Sequence, residues 1–307
     1  MFVSPLGYSA RWVLAYVAFS GVSSGAAVID GAIRGYRGLW LSERTAFLIE
    51  HFLSKDETRT LKKFATTLFL AAQGEDWAQV TVNDAFARPT AELSSLEERI
   101  SNLTGIPPHD EESPMYFVRH RPGALPPGNY VHEIHHDKNR DKRRTVTVLV
   151  YLSSARSDSD GGHTILPQVL QNSGPLVKTS RNPVTYLNRT FERAFRDGRR
   201  SLLPHELAES PSDVWNEKAL ALVERECELA LKGRSHALAV RPKRGSALVL
   251  LNAHADGSPN LQAWHTACHA MQGAPRLTVQ KFKAPVVGEA VEDRTVSDFA
   301  GVRSAEL

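Results

Sequence analysis

The segment Ser246-Ala-Leu-Val-Leu-Leu251 is apolar at every position after its first. A strand of that kind needs cover on both faces, so it belongs in the middle of a sheet with a layer on either side. Thr145-Val-Thr-Val-Leu-Val-Tyr-Leu152 reads as a second strand, β-branched and bounded by basic and Ser/Gly-rich segments. Leu277-Thr-Val-Gln-Lys-Phe282 alternates and makes a third. Upstream the period changes. Phe47-Leu-Ile-Glu-His-Phe-Leu53 is a strand or buried turn, and Ser54-Lys-Asp-Glu57 is a capping box. Leu61, Phe64, Leu68 and Ala71 then recur at helical spacing up to Gly74. A second helix is predicted over Ala91 to Leu103, ended by Gly105 and Pro107-Pro108. Between Pro167 and Leu238 the stripe Leu220, Val223, Cys227 and Leu231, closed by Gly233, marks an inserted helical region. Helices first and strands afterward argue for an α+β fold, or an all-β core with helical support.

Composition narrows the class. The 307 residues are 42% hydrophobic and 23% charged, with 20 Gly and 17 Pro, which excludes a disordered or collagenous chain. Lys and Arg number 37 against 34 Asp and Glu, a balance that gives no reason to expect a nucleic-acid partner. Two cysteines exclude a disulfide-dense scaffold and a Cys-based zinc module, but suffice for one bridge. Residues Trp12 to Ile29 carry no formal charge and follow Arg11; their front half is apolar and their back half small. Residues 1–30 are therefore expected to be a cleaved secretory signal or a single retained membrane anchor. A polar link over residues 31–45 and a flexible tail over 287–307 are expected to flank the main domain.

His132-Glu-Ile-His-His-Asp137 is the densest group of metal-capable side chains. On a strand, residues two apart project to one face, so His135 and Asp137 converge on one point. A third ligand from a distant strand would complete a two-His, one-carboxylate face suited to Fe(II), and His265 and His269 are the candidates. An H-x-D pair alone says little, since chance predicts about half of one in a chain of this composition. A second copy, His254-Ala-Asp256, runs into the turn Gly257-Ser-Pro259 and is expected to face solvent.

The order of the motifs says more. Residues from about 46 to 286 resemble the prolyl 4-hydroxylase family of Fe(II)- and 2-oxoglutarate-dependent dioxygenases. The resemblance rests on Glu98-Arg-Ile-Ser-Asn-Leu-Thr-Gly-Ile-Pro107, on Arg144 to Leu152, and on Gly161-Gly-His-Thr-Ile-Leu-Pro167. It continues through Leu238 to Val249, Asp256-Gly-Ser258 and Trp264-His-Thr-Ala-Cys-His269. Residues 168–236 form a helical insertion longer than the family's usual connection. The resemblance implies a double-stranded β-helix, or jelly-roll, core flanked by N-terminal helices within the α+β class.

It also implies that His135, Asp137 and His265 ligate iron, and that Thr164 and a basic residue hold the distal carboxylate of 2-oxoglutarate. Arg276 takes the slot of the family's lysine, and an Arg can clamp a carboxylate through two hydrogen bonds. Lys281 is the second choice for that base. His120 stands where the family has a tyrosine, and Tyr130 is a candidate substitute. Cys227 and Cys268 fall at family cysteine positions, which implies a bridge beside the metal. The implied cofactors are Fe(II), 2-oxoglutarate, O2 and L-ascorbate. The implied activity is hydroxylation of peptidyl proline in a peptide or protein partner, within the endoplasmic reticulum lumen or at its membrane. Two alternatives stand beside it: a related oxygenase acting on another residue or a small molecule, and a non-catalytic jelly-roll binding module.

Overall fold

The doubly apolar segment sits at the centre of the larger of two facing sheets. The computed structural model describes residues 29–33, 36–42, 45–71, 77–80, 91–123, 131, 134–170, 191–193, 196, 201–202, 214–254, 256–273 and 275–285. The strands are β1 (Ile29–Ile33), β2 (Tyr36–Ser42), β3 (Ala46–Ile49), β4 (Trp77–Val80), β5 (Met115–His120), β6 (Ile134–His135) and β7 (Val146–Tyr151). They continue as β8 (Thr164–Leu170), β9 (Ser201–Leu202), β10 (Ala237–Val240), β11 (Ala247–Leu251), β12 (Thr266–Ala267) and β13 (Arg276–Lys283). The helices are α1 (Lys55–Ala71), α2 (Ala91–Thr104), the single turn α3 (Asp137–Arg140) and α4 (Val214–Ala230). The signal or anchor expected over 1–30, apart from its last two residues, lies outside the described residues, as do Tyr130 and the tail 287–307. No helix among the described residues is long and apolar enough to cross a membrane.

The large sheet runs β1-β2-β3-β11-β7-β13-β5-β4, a second runs β10-β8-β12, and β6 pairs with β9. Every pairing between these strands is antiparallel. All five residues of β11 are buried, and its alternate side chains enter two cores. Val249 and Leu251 join Val148, Val150, Phe117 and Val279 on one face, which α1 and α2 cover with Leu61, Ala65, Phe69, Leu96 and Ile100. Each of the Val, Leu, Ile and Phe side chains among them, fully removed from water, contributes about 1.5–3 kcal/mol. Leu248 and Leu250 point the other way and meet Leu166, Val169, Leu238 and Val240 of the smaller sheet. Two antiparallel sheets closed over a shared core give the jelly-roll arrangement.

Helix α4 packs behind the smaller sheet, where Val223 and Cys227 meet Ile165, Phe191 and Trp264. The structure joins Cys227 to Cys268 by a disulfide across 41 residues. Residues 31–45, expected to be a polar link, instead supply most of the β1–β2 hairpin, which extends the large sheet from β3. Its anchor is Trp40, buried against the ring of Phe47 with centroids 5.0 Å apart.

Candidate functional site

The two halves of the metal-capable motif are set by a change of backbone. His136 is extended (φ −124°, ψ 124°), so His135 and Asp137 project to the same side, and the chain then turns into α3. The His136 side chain ends the strand: its Nδ1 accepts from the Lys138 amide at 3.2 Å, so its Nε2 carries the proton donated to the Asn260 carbonyl at 3.0 Å. Burial pushes its pKa down to about 4, which keeps the ring neutral. His265 reaches the same place from far along the chain, because its backbone pairs with that of His135 through two reciprocal hydrogen bonds of 3.0 Å.

Ligand atoms of His135, Asp137 and His265 all lie within 4.8 Å of one another. His135 Nε2 is 3.6 Å from Asp137 Oδ1, and His265 Nε2 is 3.7 Å from Oδ2. The chemistry of the set fits a cation. His265 Nδ1 lies 2.9 Å from the Ala263 carbonyl, which can only accept, so Nδ1 carries a proton and Nε2 is the ring nitrogen turned toward the carboxylate. Asp137 is fully buried, yet its Oδ1 accepts no hydrogen bond from the described residues. Burial alone would raise this carboxyl; His265, His135, the Thr147 hydroxyl and Arg144 outweigh it and hold it below the ordinary carboxylate value. Two ring nitrogens and a carboxylate meeting at one point are a donor set that a divalent ion can occupy.

Arg276 opens β13 and is 5% exposed. Its Nη2 donates to Thr164 Oγ1 at 2.8 Å, and Tyr151 Oη lies 2.8 Å from the same oxygen. Its Nε and Nη1 make no hydrogen bond to the described residues. Burial lowers the Arg276 pKa and raises that of Tyr151. A buried guanidinium with two unmatched donors fits a carboxylate ligand. Gly161 and Gly162 shape the approach, with φ of 74° and 73°. A Cβ on Gly161 would lie 2.2 Å from the His269 carbonyl oxygen, and one on Gly162 would lie 3.3 Å from Arg276 Cδ. His135, His265 and the arginine line one cavity of about 520 Å3, with His120, Arg140 and Arg144 also on its wall, and Asp137 is buried behind the two histidines.

Other expectations fare differently. His269 bonds the Val131 carbonyl through Nε2 and lies outside the cluster. Asp256 accepts from the Ser258 amide and hydroxyl in an exposed turn, as expected for the second H-x-D pair. Lys281 is not in the cavity. It shares the β13 face of Leu277 and Val279, toward the helices, where its Nζ lies 3.2 Å from Glu97 and 3.0 Å from Glu112. Tyr151 and Thr147 were missed as site residues, although a phenol and a hydroxyl inside a buried, strictly alternating strand mark the side that faces the ligand cavity.

The sequence matches the family described as the 2OG-Fe(II) oxygenase superfamily over residues 124–283. No curated protein matches the chain. Among solved structures, it is similar to a viral collagen prolyl hydroxylase from Paramecium Bursaria Chlorella virus-1 in its 2OG complex. The identity is 14%, the TM-score 0.43, and the match covers 79% of this chain and 96% of that one. A Pseudomonas putida prolyl-4-hydroxylase matches at 16% identity and a TM-score of 0.41, over 80% of this chain and 96% of the other. HygX from Streptomyces hygroscopicus, with nickel and 2-oxoglutarate bound, matches at 14% identity and a TM-score of 0.43, over 80% and 84%. With the family match spanning more than half of its length, the chain belongs to the 2OG-Fe(II) oxygenase superfamily.

Proposed function

We propose that the protein is a dioxygenase that hydroxylates peptidyl proline while 2-oxoglutarate is decarboxylated to succinate and CO2. The observation that carries this reading is the convergence of His135, Asp137 and His265, the two histidines lining the cavity that also receives Arg276. Two imidazoles and one carboxylate suit Fe(II) and leave positions for other ligands. Iron and 2-oxoglutarate, when bound, supply the O2-dependent redox chemistry that converts a C–H bond to C–OH. The chain positions the reactants and excludes water. Arg276 and Thr164 take the distal carboxylate and fix the direction in which the cosubstrate enters. The buried lower wall, with Leu149 and Leu250, keeps that end dry.

The prolyl specificity, the role of L-ascorbate and a location in the endoplasmic reticulum rest on the motif order described above. The disulfide supports an oxidising compartment. A second reading, an oxygenase acting on another residue or a small molecule, is favoured by Arg140 and Arg144 on the cavity wall, which suit an anionic group.

The test is succinate release by the full chain with Fe(II), 2-oxoglutarate and two panels, proline-containing peptides and small carboxylic acids. Peptide-dependent succinate with hydroxyproline in the product supports the first reading. Turnover only with the acids overturns it in favour of the second. Absence of iron binding overturns both in favour of a binding module. Alanine at His135, Asp137 or His265 is expected to remove metal-dependent turnover, and full activity in any one of them refutes its role as a ligand.

A further inference from the structure

Behind the three metal-capable side chains lies a buried polar network that the motifs do not announce. Thr147 Oγ1 is 2.6 Å from Asp137 Oδ2, and Asn252 Nδ2 is 2.8 Å from Thr147 Oγ1. The directions are forced. An ionised carboxylate only accepts, so the single hydroxyl proton of Thr147 points at Oδ2. The group facing the remaining lone pairs of the hydroxyl must then donate, which fixes the Asn252 amide with its nitrogen toward Thr147. Asn252 is in turn held by its backbone: its amide donates to the Thr145 carbonyl at 2.8 Å, and its carbonyl accepts from Asn260 at 2.9 Å. Asn260 carries the network on to the distant histidine. Its carbonyl accepts from the Ala263 amide at 2.9 Å and from His136 Nε2 at 3.0 Å. Its Oδ1 accepts from the Gln262 amide at 3.2 Å, capping the turn whose Ala263 carbonyl holds His265 Nδ1. Thr147, Asn252 and Asn260 are each 2% exposed or less.

We propose that Thr147, oriented by Asn252, is a positioning residue that occupies Asp137 Oδ2 and so makes Asp137 a one-oxygen metal ligand through Oδ1. The asymmetry between the two oxygens is already present: Oδ2 has a hydroxyl at 2.6 Å, and Oδ1 accepts no hydrogen bond from the described residues. Without the hydroxyl, both oxygens compete for the ion, the carboxylate rotates, and a coordination position meant for another ligand closes. Groups that orient metal ligands in this way typically carry about 10–100-fold in metal affinity. The proposal rests on the metal-site reading above.

The experiment measures the affinity of the full chain for Co(II) and Mn(II) by calorimetry without cosubstrate. It adds the Co(II) visible spectrum, which reports coordination geometry, and the melting temperature of the metal-free protein. Thr147→Val keeps the shape and removes the hydroxyl; it is expected to bind about 10–100-fold more weakly and to alter the Co(II) spectrum. Thr147→Ser restores the donor and is expected to recover affinity to within about threefold, along with the original spectrum. Asn252→Leu leaves Thr147 in place but unoriented, and a loss of about 3–10-fold is expected. It decides the matter should Thr147→Val not fold. Unchanged affinity and spectrum in Thr147→Val, or in Asn252→Leu where that variant alone folds, overturns the proposal, as does a Ser variant no better than Val. If the unaltered protein itself binds neither ion, the metal-site reading fails first and takes this one with it.

Discussion

Arg276 and Lys281 stand five residues apart on β13, and an odd separation on a strand puts two side chains on opposite faces. One therefore enters the cavity and the other the helix-covered side. There Lys281 and Lys283 share Glu97 and Glu112, with Lys283 Nζ 2.7 Å from Glu112 Oε1. Arg276→Ala is expected to raise the 2-oxoglutarate concentration for half-maximal binding by about 10–100-fold, the worth of hydrogen bonds to a charged group. Iron affinity is expected to change little. Lys281→Met is expected to leave the cosubstrate requirement alone and to destabilise by up to about 3–5 kcal/mol, because two buried carboxylates are left to share the single ammonium of Lys283. Titration of 2-oxoglutarate binding and thermal melts check both; a changed cosubstrate requirement in the lysine variant would return it to the site. The basic residue was legible as a choice of two, and the parity that decides between them was legible as well. The acidic partners of Lys281 were not, since Glu97 and Glu112 lie on a helix and a turn more than 160 residues upstream.

At the scale of elements, the start of α1 behaved as its four-residue signature implies. The Ser54 amide donates to Glu57 Oε2 at 2.8 Å, and the Glu57 amide donates to Ser54 Oγ at 3.1 Å. Arg99 of α2 also bonds Glu57 and ties the two helices together. That hydrogen bond with Arg99 holds the Glu57 pKa down at about 2, against an ordinary 4.5. The depressed folded value means that the unfolded chain takes up the proton first as pH falls. The contribution of Glu57 is then complete above about 4.5 and is lost on acidification toward about 2. Glu57→Gln is expected to melt lower than the unaltered protein near neutral pH, by about 1 kcal/mol for the lost charge pairing with Arg99, and the difference should shrink between about pH 5 and about pH 3. A pH-independent difference in melting temperature would show that the carboxylate charge plays no part. The hairpin of β1 and β2 was harder to see. Its polar residues read as a link, because an edge pair buries few side chains and announces itself only once β3 is there to receive it.

For the whole molecule, the disulfide joins α4 to the segment that follows His265 by three residues. Closing a loop of 41 residues is worth about 4 kcal/mol in the chain-entropy account. Reduction, or Cys227→Ser, is expected to lower the melting temperature by about 10 °C and to weaken metal binding, since the anchor beside His265 is released. Equal metal affinity in the oxidised and reduced protein would show that the bridge serves stability alone. The central strand and the pairing of residues 135 and 137 were visible in the sequence, and the resemblance chose 265 where the residues alone left 269 open; the strands ahead of α1 were not visible. Which layer each helix covers was not, because a periodic stripe tells how much surface is hidden and not which surface hides it.

The backbone pairing of His135 with His265 has a consequence for synthesis. On the metal site proposed above, a growing polypeptide that has made the first histidine and the aspartate holds two thirds of a chelate, with nothing to complete it until 128 further residues have followed Asp137. Loading with an ion is then a late event, and retention of that ion reports that the last third of the fold has arrived in register with the first strands.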